Sequence, residues 1–484
     1  MITENKYDDF IINPQEESGI FGVYSNDENL DLCKETLAAL FALQHRGQNS
    51  CGIAINDNGE FKCHKDVGTI AEVMRSEDIK SLGNGKIAVG HVCYTTAEMT
   101  NRALAQPLLM RYVKGSLALS HNGSITNFAQ LHKSLEQGGA IFQSNSNAEL
   151  IAYVIASKRV RTLTIEEAVL SATKDIEGAY SLVISSPSKL IGVRDENGFR
   201  PLCIGKLGDS YMLSSESCAF DSLGAEFIRD VLPGEVVSID EKGITSYMME
   251  RKSDKTSVCM FEYVYVARPD SIIDGLSVSM ARRKIGEYLA VQYPMEADIV
   301  CGVPDSGLSA ALGYSIKSGI PFEMAILKNK YIRRTTTTIE QDEKEKLLQV
   351  KLNVLKIAVK DKKVIVIDDS IVKGETAKHI VSLLKDAGAK EVHMIISSPV
   401  ITNSCHFGVD IKNDGTLISK NLTVEGIRKE IGADSLGFLS LDNFRELAKD
   451  INIGYCDACF SNEYKATIPT EQYVDKFSKK IIKK

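Results

Sequence analysis

Residues 364–376, which read VIVIDDSIVKGET, constrain the fold of this chain more than any other stretch. Four apolar residues predict a short buried strand, Asp368 and Asp369 close it, and apolar residues at helical spacing follow the turn until Gly388. A strand, a polar turn and a helix in this order place free backbone N–H groups at a helix N-terminus, which suits a phosphate. The two carboxylates can bind sugar hydroxyls or a divalent cation, although spacing alone equally fits an ordinary turn with solvated acids.

Length and composition narrow the class of protein. A chain of 484 residues is too long for one compact core, so we expect about two to four domains. The net charge of −7 argues against non-specific binding to nucleic acid, and no apolar run approaches the roughly 18 residues that span a membrane. Residues 1–17 are polar and charged, unlike a secretory signal. The odd, scattered set of 11 cysteines predicts a cytoplasmic protein without a disulfide framework.

The pattern of predicted elements differs between the two halves. The first half combines many short strands with interspersed helices, one of them over 149–157, and Asp57-Asn58-Gly59 predicts a hairpin. This favours stacked mixed or antiparallel sheets with helices outside. From about residue 257, strand–turn–helix units predict a parallel sheet with helices on both faces and strands over 298–303, 321–328 and 391–397. Ligands bind such sheets at the carboxyl ends of the strands, where Asp305 and Ser306 would join the two acids.

Seven strings stand out in residues 18–250: GIFGVYS, LQHRGQ, GHVCYTTA, HNGSITN, SNSNAEL, NGFRPL and SSESCAFD. In this order they resemble the glutaminase domain of the amidophosphoribosyltransferases, the glutamine phosphoribosyl-pyrophosphate (PRPP) amidotransferases. The resemblance implies an N-terminal-nucleophile hydrolase fold, an αββα sandwich. It also implies that a cysteine at the mature N-terminus attacks the glutamine amide, and that the released ammonia passes to a second domain.

Three positions depart from that family pattern. Ser18 matches the nucleophilic cysteine, Cys93 matches the arginine that binds the glutamine carboxylate, and Asn147 matches the aspartate that binds the glutamine ammonium group. Asn122 and Gly123, which match the oxyanion hole, are kept. A hydroxyl is a poorer nucleophile than a thiol, and neither Cys93 nor Asn147 offers the charge of the residue it replaces. We therefore expect this half to keep its fold, to have lost glutamine hydrolysis and to retain the leader-like segment 1–17. The alternative is slow hydrolysis through Ser18.

The second half carries further strings in family order: VARPDSIIDG, GVPDSG, KNKYIRRT, VKLN, VIVIDDSIVKGET and EIGADSLGFLS. They resemble a type I phosphoribosyltransferase domain, a parallel α/β sheet. The resemblance implies three groups of ligand-binding residues: Ser306, Asp368 and Asp369 for Mg²⁺-PRPP, Ser370, Lys373, Gly374 and Thr376 for the 5-phosphate, and Lys328, Tyr331, Arg334 and Lys351 for pyrophosphate. Lys373 and Gln349 stand where relatives usually carry arginine, and Glu375 stands where they carry threonine.

Four of the cysteines form a separate group by the same resemblance. In the iron–sulfur branch of the family, a [4Fe–4S] cluster is held by cysteines in the contexts SVCMFEY, ITNSCHFG and CDACF, which here contain Cys259, Cys405, Cys456 and Cys459. Zinc is the alternative, because a CxxC pair by itself fits zinc, redox chemistry or no function. We expect the remaining cysteines to be small buried side chains.

The resemblance covers about residues 18–470 and leads to a complete set of expectations. We expect a leader-like segment over 1–17, an amidotransferase-like domain over 18–255, a phosphoribosyltransferase domain over 256–445 and a C-terminal segment over 446–484 with two cluster ligands. The expected reaction is PRPP plus ammonia giving 5-phosphoribosylamine and pyrophosphate, the first step of purine synthesis. Full glutamine dependence and a non-catalytic PRPP-binding or nucleotide-binding regulator are the alternatives. The resemblance also implies feedback by purine nucleotides and a homotetramer or homodimer.

Overall fold

Two antiparallel sheets packed face to face form the first half of the chain. The computed structural model describes residues 17–94, 101–250, 255–329, 351–411, 415–471 and 473. The strand orders are β11-β9-β10-β1-β4-β2-β3 and β13-β12-β8-β7-β6-β5. The strands are β1 (Glu17–Tyr24), β2 (Ser50–Asp57), β3 (Glu60–Val67), β4 (Ile87–Tyr94), β5 (Leu108–Tyr112), β6 (Gly115–Ile125), β7 (Gly178–Ser185), β8 (Leu190–Arg194), β9 (Cys203–Leu207), β10 (Ser210–Ser214), β11 (Glu226–Asp230), β12 (Glu235–Asp240) and β13 (Gly243–Met248).

Helices cover the outer faces of this sandwich. They are α1 (Leu32–Ala42), α2 (Ile70–Val73), α3 (Ser76–Leu82), α4 (Phe128–Gln137), α5 (Asn147–Arg159), α6 (Ile165–Thr173) and α7 (Cys218–Leu223), with a 3₁₀ turn at Gln44–Arg46. The space between the sheets is filled by alternate strand residues such as Ile20, Val89 and Val183. The outer residues of each sheet pack against α1 and α7 or against α5 and α6. This αββα layering confirms the predicted sheets with helices outside.

Local sequence signals explain several of these elements. Asn58 and Gly59 have φ values of 49° and 99°, which a two-residue hairpin of type I′ requires, and they join β2 to β3. The predicted helix over 149–157 lies within α5, which Ser146 caps by accepting from the N–H of Glu149. The hairpin and the helix thus form where the sequence predicts them.

The second half is built on a four-stranded parallel sheet in the order β17-β20-β21-β22. Its strands are β14 (Val258–Cys259), β15 (Ile272–Ile273), β16 (Leu276–Ser277), β17 (Ile299–Gly302), β18 (Ile326–Lys328), β19 (Leu352–Val354), β20 (Lys363–Asp368), β21 (Glu391–Ile396), β22 (Ser435–Phe438) and β23 (Tyr455–Cys456). Its helices are α8 (Val278–Gln292), α9 (Gly307–Ser318), α10 (Lys356–Val359), α11 (Glu375–Asp386), α12 (Ile418–Asn421), α13 (Val424–Ile431), α14 (Leu441–Leu447) and α15 (Ala458–Ser461), with a π-helical segment at Glu262–Val266 and a 3₁₀ turn at Ala448–Asp450.

Both faces of the parallel sheet are buried, as expected. Ile365 and Ile367 pack with α8 and α9 on one side, whereas Val364 and Val366 pack with α11 and α13 on the other. This two-sided burial explains why the apolar run at 364–367 is continuous rather than alternating. The predicted strands over 298–303 and 391–397 correspond to β17 and β21.

One predicted strand is wrong over most of its length. In the stretch 321–328, Phe322 makes a single bridge to Val300, and only Ile326–Lys328 forms a strand. That strand pairs antiparallel with β19 in a separate two-stranded sheet. Pro321 has no N–H with which to extend the ladder on the N-terminal side of this bridge.

The C-terminal segment joins the two halves. Strand β23 pairs in parallel with β14, directly after the first half ends. Further on, the Gln130 side chain donates to Thr470 Oγ1 (3.0 Å) and the Tyr473 hydroxyl donates to Asn145 Oδ1 (3.1 Å). Over the ranges that the structure describes, no helix has both the length and the apolar character needed to cross a membrane.

Candidate active sites and a four-cysteine site

The carboxyl edge of the parallel sheet gathers the predicted acidic residues. Ser306, which precedes α9, donates its hydroxyl to Asp369 Oδ2, and Ser370 donates to Asp369 Oδ1 (2.7 Å). The backbone N–H of Asp369 donates to Asp368 Oδ1 (2.9 Å). Because β17 and β20 are parallel neighbours, their ends meet at one edge and bring Ser306 to residues 63 positions later in the chain.

Burial gives Asp368 unusual electrostatics. Burial in the first place, and the neighbouring Asp369 carboxylate in the second, raise the pKa of Asp368 well above its usual range. A bound divalent cation would favour the ionised form, because its charge offsets both causes. Oxygen ligands of this kind suit Mg²⁺, which is held by one or two carboxylates together with substrate phosphates and water.

The turn between β20 and α11 presents backbone N–H groups that could receive an anion, and we call it the anion cradle. Within the described residues, the backbone N–H groups of 370–374 meet no hydrogen-bond acceptor. Gly374 has a φ of 88°, and a Cβ at this position would lie 2.7 Å from Ile418 Cδ1. The backbone N–H of Ile418 also holds the turn by donating to Val372 O (2.9 Å). Lys373, Glu375 and Thr376 are exposed beside this cradle.

The predicted pyrophosphate segment is described only at its ends. Lys328 Nζ lies 2.6 Å from Asp305 Oδ2, and both side chains are partly exposed. Lys351 lies next to this pair, because its carbonyl accepts from the N–H of Asn329 (2.8 Å). Tyr331, Arg334 and Gln349 lie outside the described residues. The structure therefore gathers two of the four predicted pyrophosphate-binding residues at the same edge of the domain.

Ser18 lies fully buried between the two sheets of the first half. Its backbone N–H donates to Asn122 Oδ1 (3.2 Å), and Cys93 stands directly opposite Ser18 on β4. The N–H and C=O of Ile20 bond toward Ser215 rather than toward β4, so the Ser18–Cys93 pair is of the non-hydrogen-bonded kind. Such pairs bring side chains about 4.5–5.5 Å apart at Cβ, which places the hydroxyl and the thiol side by side.

The other predicted residues of this site are also buried. Gly123 has a φ of 139°, and a Cβ there would lie 2.1 Å from Ala179 O, so only glycine fits. Asn147 is the first residue of α5. His91, two positions before Cys93, donates from Nε2 to His121 O (3.1 Å), and burial lowers its pKa to about 3, which keeps the ring neutral. The predicted residues of this site that the structure describes therefore bring no carboxylate, ammonium or guanidinium group to it.

Sequence reasoning missed a buried charge network beside Ser18. Arg46 donates to Ser18 O (2.9 Å), Glu216 Oε1 (2.6 Å) and both carboxylate oxygens of Glu262 (2.9 and 2.8 Å). Arg200 donates to Glu262 Oε1 as well (3.0 Å). Burial alone would raise the pKa of Glu216, but His45 and Arg46 hold it below its usual range. The available signal was charged residues inside the strings LQHRGQ, NGFRPL, SSESCAFD and SVCMFEY.

The four predicted cluster cysteines lie close to one another, and one of them, Cys259, is three positions before Glu262 of this network. Cys259 and Cys456 are register partners on β14 and β23, and Cys405 Sγ accepts from the N–H groups of Phe407 (3.3 Å) and Val409 (3.4 Å). Burial is the main cause that raises the pKa of Cys459, and Cys405, Cys259 and Cys456 are close enough to raise it further. In the described part of the chain, no three His, Cys, Asp or Glu side chains are arranged to hold a metal ion.

Family comparisons match both halves of the chain. A model described as "Glutamine amidotransferase domain" matches residues 95–222, and one described as "Phosphoribosyl transferase domain" matches residues 276–402. The amidophosphoribosyltransferase of Bacillus subtilis is 42% identical over 465 residues, which is 95% of each chain. That of Archaeoglobus fulgidus is 41% identical over 456 residues, 94% of this chain and 99% of the relative.

The chain belongs to the amidophosphoribosyltransferase family. Members of this family are pentosyltransferases of the first step of purine synthesis.

Solved structures agree with the family and with the predicted two-domain fold. The B. subtilis glutamine PRPP amidotransferase complexed with ADP and GMP is 40% identical, has a TM-score of 0.86 and is covered to 99%, against 94% of this chain. A second structure, titled as the allosteric regulatory enzyme of purine biosynthesis, has the same TM-score and identity over 96% of this chain. The predicted fold class, an amidotransferase domain followed by a phosphoribosyltransferase domain, is confirmed.

Proposed function

We propose that this member of the amidophosphoribosyltransferase family transfers ammonia to PRPP, giving 5-phosphoribosylamine and pyrophosphate, and does not hydrolyse glutamine. The observation that carries this proposal is the contrast between the two sites. The acid pair Asp368 and Asp369 lies beside a cradle of backbone N–H groups without acceptors among the described residues. Ser18 instead lies opposite Cys93, where the family pattern has a thiol and a guanidinium group.

In the second half, the residues divide into three roles. The N–H groups of 370–374, with Lys373 and Thr376, bind the 5-phosphate. Ser306, Asp368 and Asp369 hold Mg²⁺ and the ribose hydroxyls. Lys328 and Lys351, with Tyr331 and Arg334, bind pyrophosphate. When bound, Mg²⁺ neutralises charge on the departing pyrophosphate. Ammonia attacks C1 of the ribose as the bond to pyrophosphate breaks on the opposite face, so most of the rate enhancement comes from positioning and electrostatics.

Lys328, at the end of β18, pairs with Asp305 at the edge where we propose that pyrophosphate binds. Pyrophosphate carries more negative charge than one carboxylate, so it displaces Asp305 from Lys328. Exposure of the pair keeps the cost of this exchange small, because exposed ion pairs contribute about 0–1 kcal/mol.

We also propose that Cys259, Cys405, Cys456 and Cys459 hold a [4Fe–4S] cluster. Four cysteines converge, and backbone N–H groups donate to the sulfur of Cys405, which stabilises a thiolate ligand. Zinc is the alternative, because four thiolates also suit a structural zinc ion. When bound, the cluster cross-links the C-terminal segment to the junction of the halves.

Regulation and assembly follow from the relatives as proposals. The B. subtilis structure holds ADP and GMP, so we propose purine nucleotides as feedback ligands of this chain. We likewise propose a cytoplasmic homodimer or homotetramer and the domain limits 18–255 and 256–445.

One assay tests the proposed function against its alternatives. Pyrophosphate release from Mg²⁺-PRPP is measured with ammonium, with glutamine and with neither. The proposal predicts release with ammonium only. Equal release with glutamine would show a working glutaminase half that uses Ser18. No release in any arm, with PRPP binding still detected by calorimetry, would indicate a non-catalytic regulator.

A further inference from the structure

The junction between the halves holds four charged side chains that solvent scarcely reaches. Arg46, Glu216, Glu262 and Arg200 are 2%, 0%, 0% and 0% exposed. Two of the three residues from the first half bond to Glu262, which follows Cys259 by three positions in the second half. Buried charges are stable only when they are paired and hydrogen-bonded, so each member depends on the position of the others.

On one side, this network fixes the backbone at Ser18. Arg46 donates from Nε to Ser18 O (2.9 Å) and from both terminal nitrogens to Glu262 (2.9 and 2.8 Å). A guanidinium group is planar, so the bidentate bond to Glu262 fixes the direction in which Nε points. A shift of Glu262 therefore moves the donor that holds the start of β1.

On the other side, the network reaches the loop that follows Cys405. Arg200 donates from Nη1 to Glu262 Oε1 and from Nε to Phe407 O, both at 3.0 Å. Gly408 has a φ of 108°, and a Cβ at this position would lie 2.7 Å from Arg200 Nη2 and 3.0 Å from Gly123 Cα. The loop thus touches Arg200 and Gly123 at the same time.

The cysteines themselves anchor this loop. Cys405 binds the loop backbone through the N–H groups of Phe407 and Val409. The N–H of Cys259 donates to Phe199 O (3.1 Å), and the Phe199 ring stacks on Phe407 with centroids 4.2 Å apart. A group that binds all four cysteines would therefore fix both Phe407 O and the strand that precedes Glu262.

We propose that Glu262 is a positioning residue through which loading of the four-cysteine site orders the Ser18 pocket. Loading fixes the loop at Phe407, Arg200 transmits its position to Glu262, and Arg46 transmits the position of Glu262 to Ser18. The inference rests on the cluster proposed above and not on the phosphoribosyl transfer reaction, so the two are tested by different measurements.

A second buried ion pair supplies a matched control. Arg194 donates to both carboxylate oxygens of Asp274 (2.7 and 2.8 Å), and this pair also joins the two halves. The remaining hydrogen bonds of Arg194 go to Val231 O and to Gly198 O, so this pair borders Phe199 but makes no bond to Ser18 or to Glu262. Asp274→Asn and Glu262→Gln each remove the charge of a buried carboxylate that binds arginine. Only Glu262 connects the Ser18 pocket with the loop that follows Cys405.

The test is hydrogen exchange of the full chain in two states. Protein loaded anaerobically with iron and sulfide is compared with protein stripped by a chelator under reducing conditions, and iron is quantified in both. In the unaltered chain, stripping should raise amide exchange in 17–24 by at least about 10-fold, since local opening responds to lost contacts. In Glu262→Gln, the loaded and stripped forms should exchange alike in this segment. Asp274→Asn should keep the difference.

Several outcomes overturn the proposal. They are equal exchange of the loaded and stripped unaltered chain, an undiminished difference in Glu262→Gln, and failure of the chain to take up iron and sulfide. Should Glu262→Gln not fold, Arg200→Lys replaces it, because it keeps the charge but cannot bond to Phe407 O and Glu262 Oε1 through two guanidinium nitrogens, and it should abolish the same difference. Pyrophosphate release with ammonium is followed in parallel, so failure of the catalytic proposal is recognised separately.

Discussion

The Ser18 site and the Asp368–Asp369 site treat their polar groups in opposite ways. At the Ser18 site, the nearby charges of Arg46, Glu216 and Glu262 are bonded to one another within the fold. At the acid pair, the pKa of Asp368 is raised, and the N–H groups of 370–374 have no acceptor among the described residues. The first arrangement satisfies its charges internally, whereas the second leaves N–H groups that a bound anion could satisfy. The comparison shows that the first half keeps its fold although the predicted residues of the Ser18 site carry no charge.

Removal of an acid from the second site should have the largest effect. In Asp369→Asn, pyrophosphate release from PRPP and ammonium should fall at least about 100-fold, because this carboxylate is a proposed cation ligand and accepts from Ser306 and Ser370. The control Asp386→Asn, an exposed acid at the end of α11, should release pyrophosphate at the unaltered rate. A comparable rate in Asp369→Asn would mean that the acid pair is not the reaction centre.

Restoration of the first site should have the next largest effect. The triple variant Ser18→Cys, Cys93→Arg, Asn147→Asp should release pyrophosphate with glutamine at least about 10-fold faster than the unaltered chain, because the thiol and two charged contacts return together. Ser18→Cys alone should not, since the glutamine carboxylate still has no cation at position 93. The single variant is assayed with a reductant, because its new thiol would lie opposite that of Cys93 across the strands. If the triple variant keeps its ammonia-dependent activity but releases no pyrophosphate with glutamine, the surroundings of Ser18 have also changed.

Removal of the Asp368 charge should lower activity but raise the stability of the folded chain. The pKa of Asp368 is raised in the folded state above its ordinary value of 3.8, so the folded state binds more protons than the unfolded state. The free energy of unfolding therefore falls as the pH rises from 3.8 through the folded-state pKa. At pH 8 without Mg²⁺ or PRPP, Asp368→Asn should therefore stabilise the chain by about 0.5–2 kcal/mol while it abolishes activity. Thermal unfolding checks this, with Asp386→Asn as the control for loss of one acid. A lower unfolding midpoint for Asp368→Asn than for Asp386→Asn would contradict a raised pKa of Asp368 in the folded state.

The smallest effect concerns the carboxylate beside the phosphate cradle. Glu375 is the first residue of α11 and is exposed, so it repels a 5-phosphate through water. Glu375→Gln should lower the KM for PRPP about 2- to 5-fold at low salt, equivalent to about 0.4–1 kcal/mol, and the gain should vanish at high salt. Glu323→Gln, an exposed acid outside the turn, should leave the KM unchanged. A salt-independent gain would indicate a direct contact instead.

Much of the second half could be predicted locally. The apolar run at 364–367 and the helical spacing from Ala377 to Leu384 correspond to β20 and α11, because strand and helix periods are properties of neighbouring residues. The adjacency of Asp368 and Asp369 needs no fold at all. Ser306 could be placed beside them because parallel neighbouring strands end at one edge. The stretch 321–328 was mispredicted, since pairing with β19 depends on residues further along the chain.

The sequence by itself determined the stacked sheets with helices outside, the parallel sheet, the adjacent acids at 368 and 369 and, through its resemblance, the family. Only the tertiary structure decided that Ser18 faces Cys93, and that Arg46, Glu262 and Arg200 link this pocket to the loop after Cys405. The physical reason is range. Periodicity and turn chemistry act over a few residues, whereas a buried ion is placed by partners as distant as the 216 positions between Arg46 and Glu262. Such partners become neighbours only after both halves have packed.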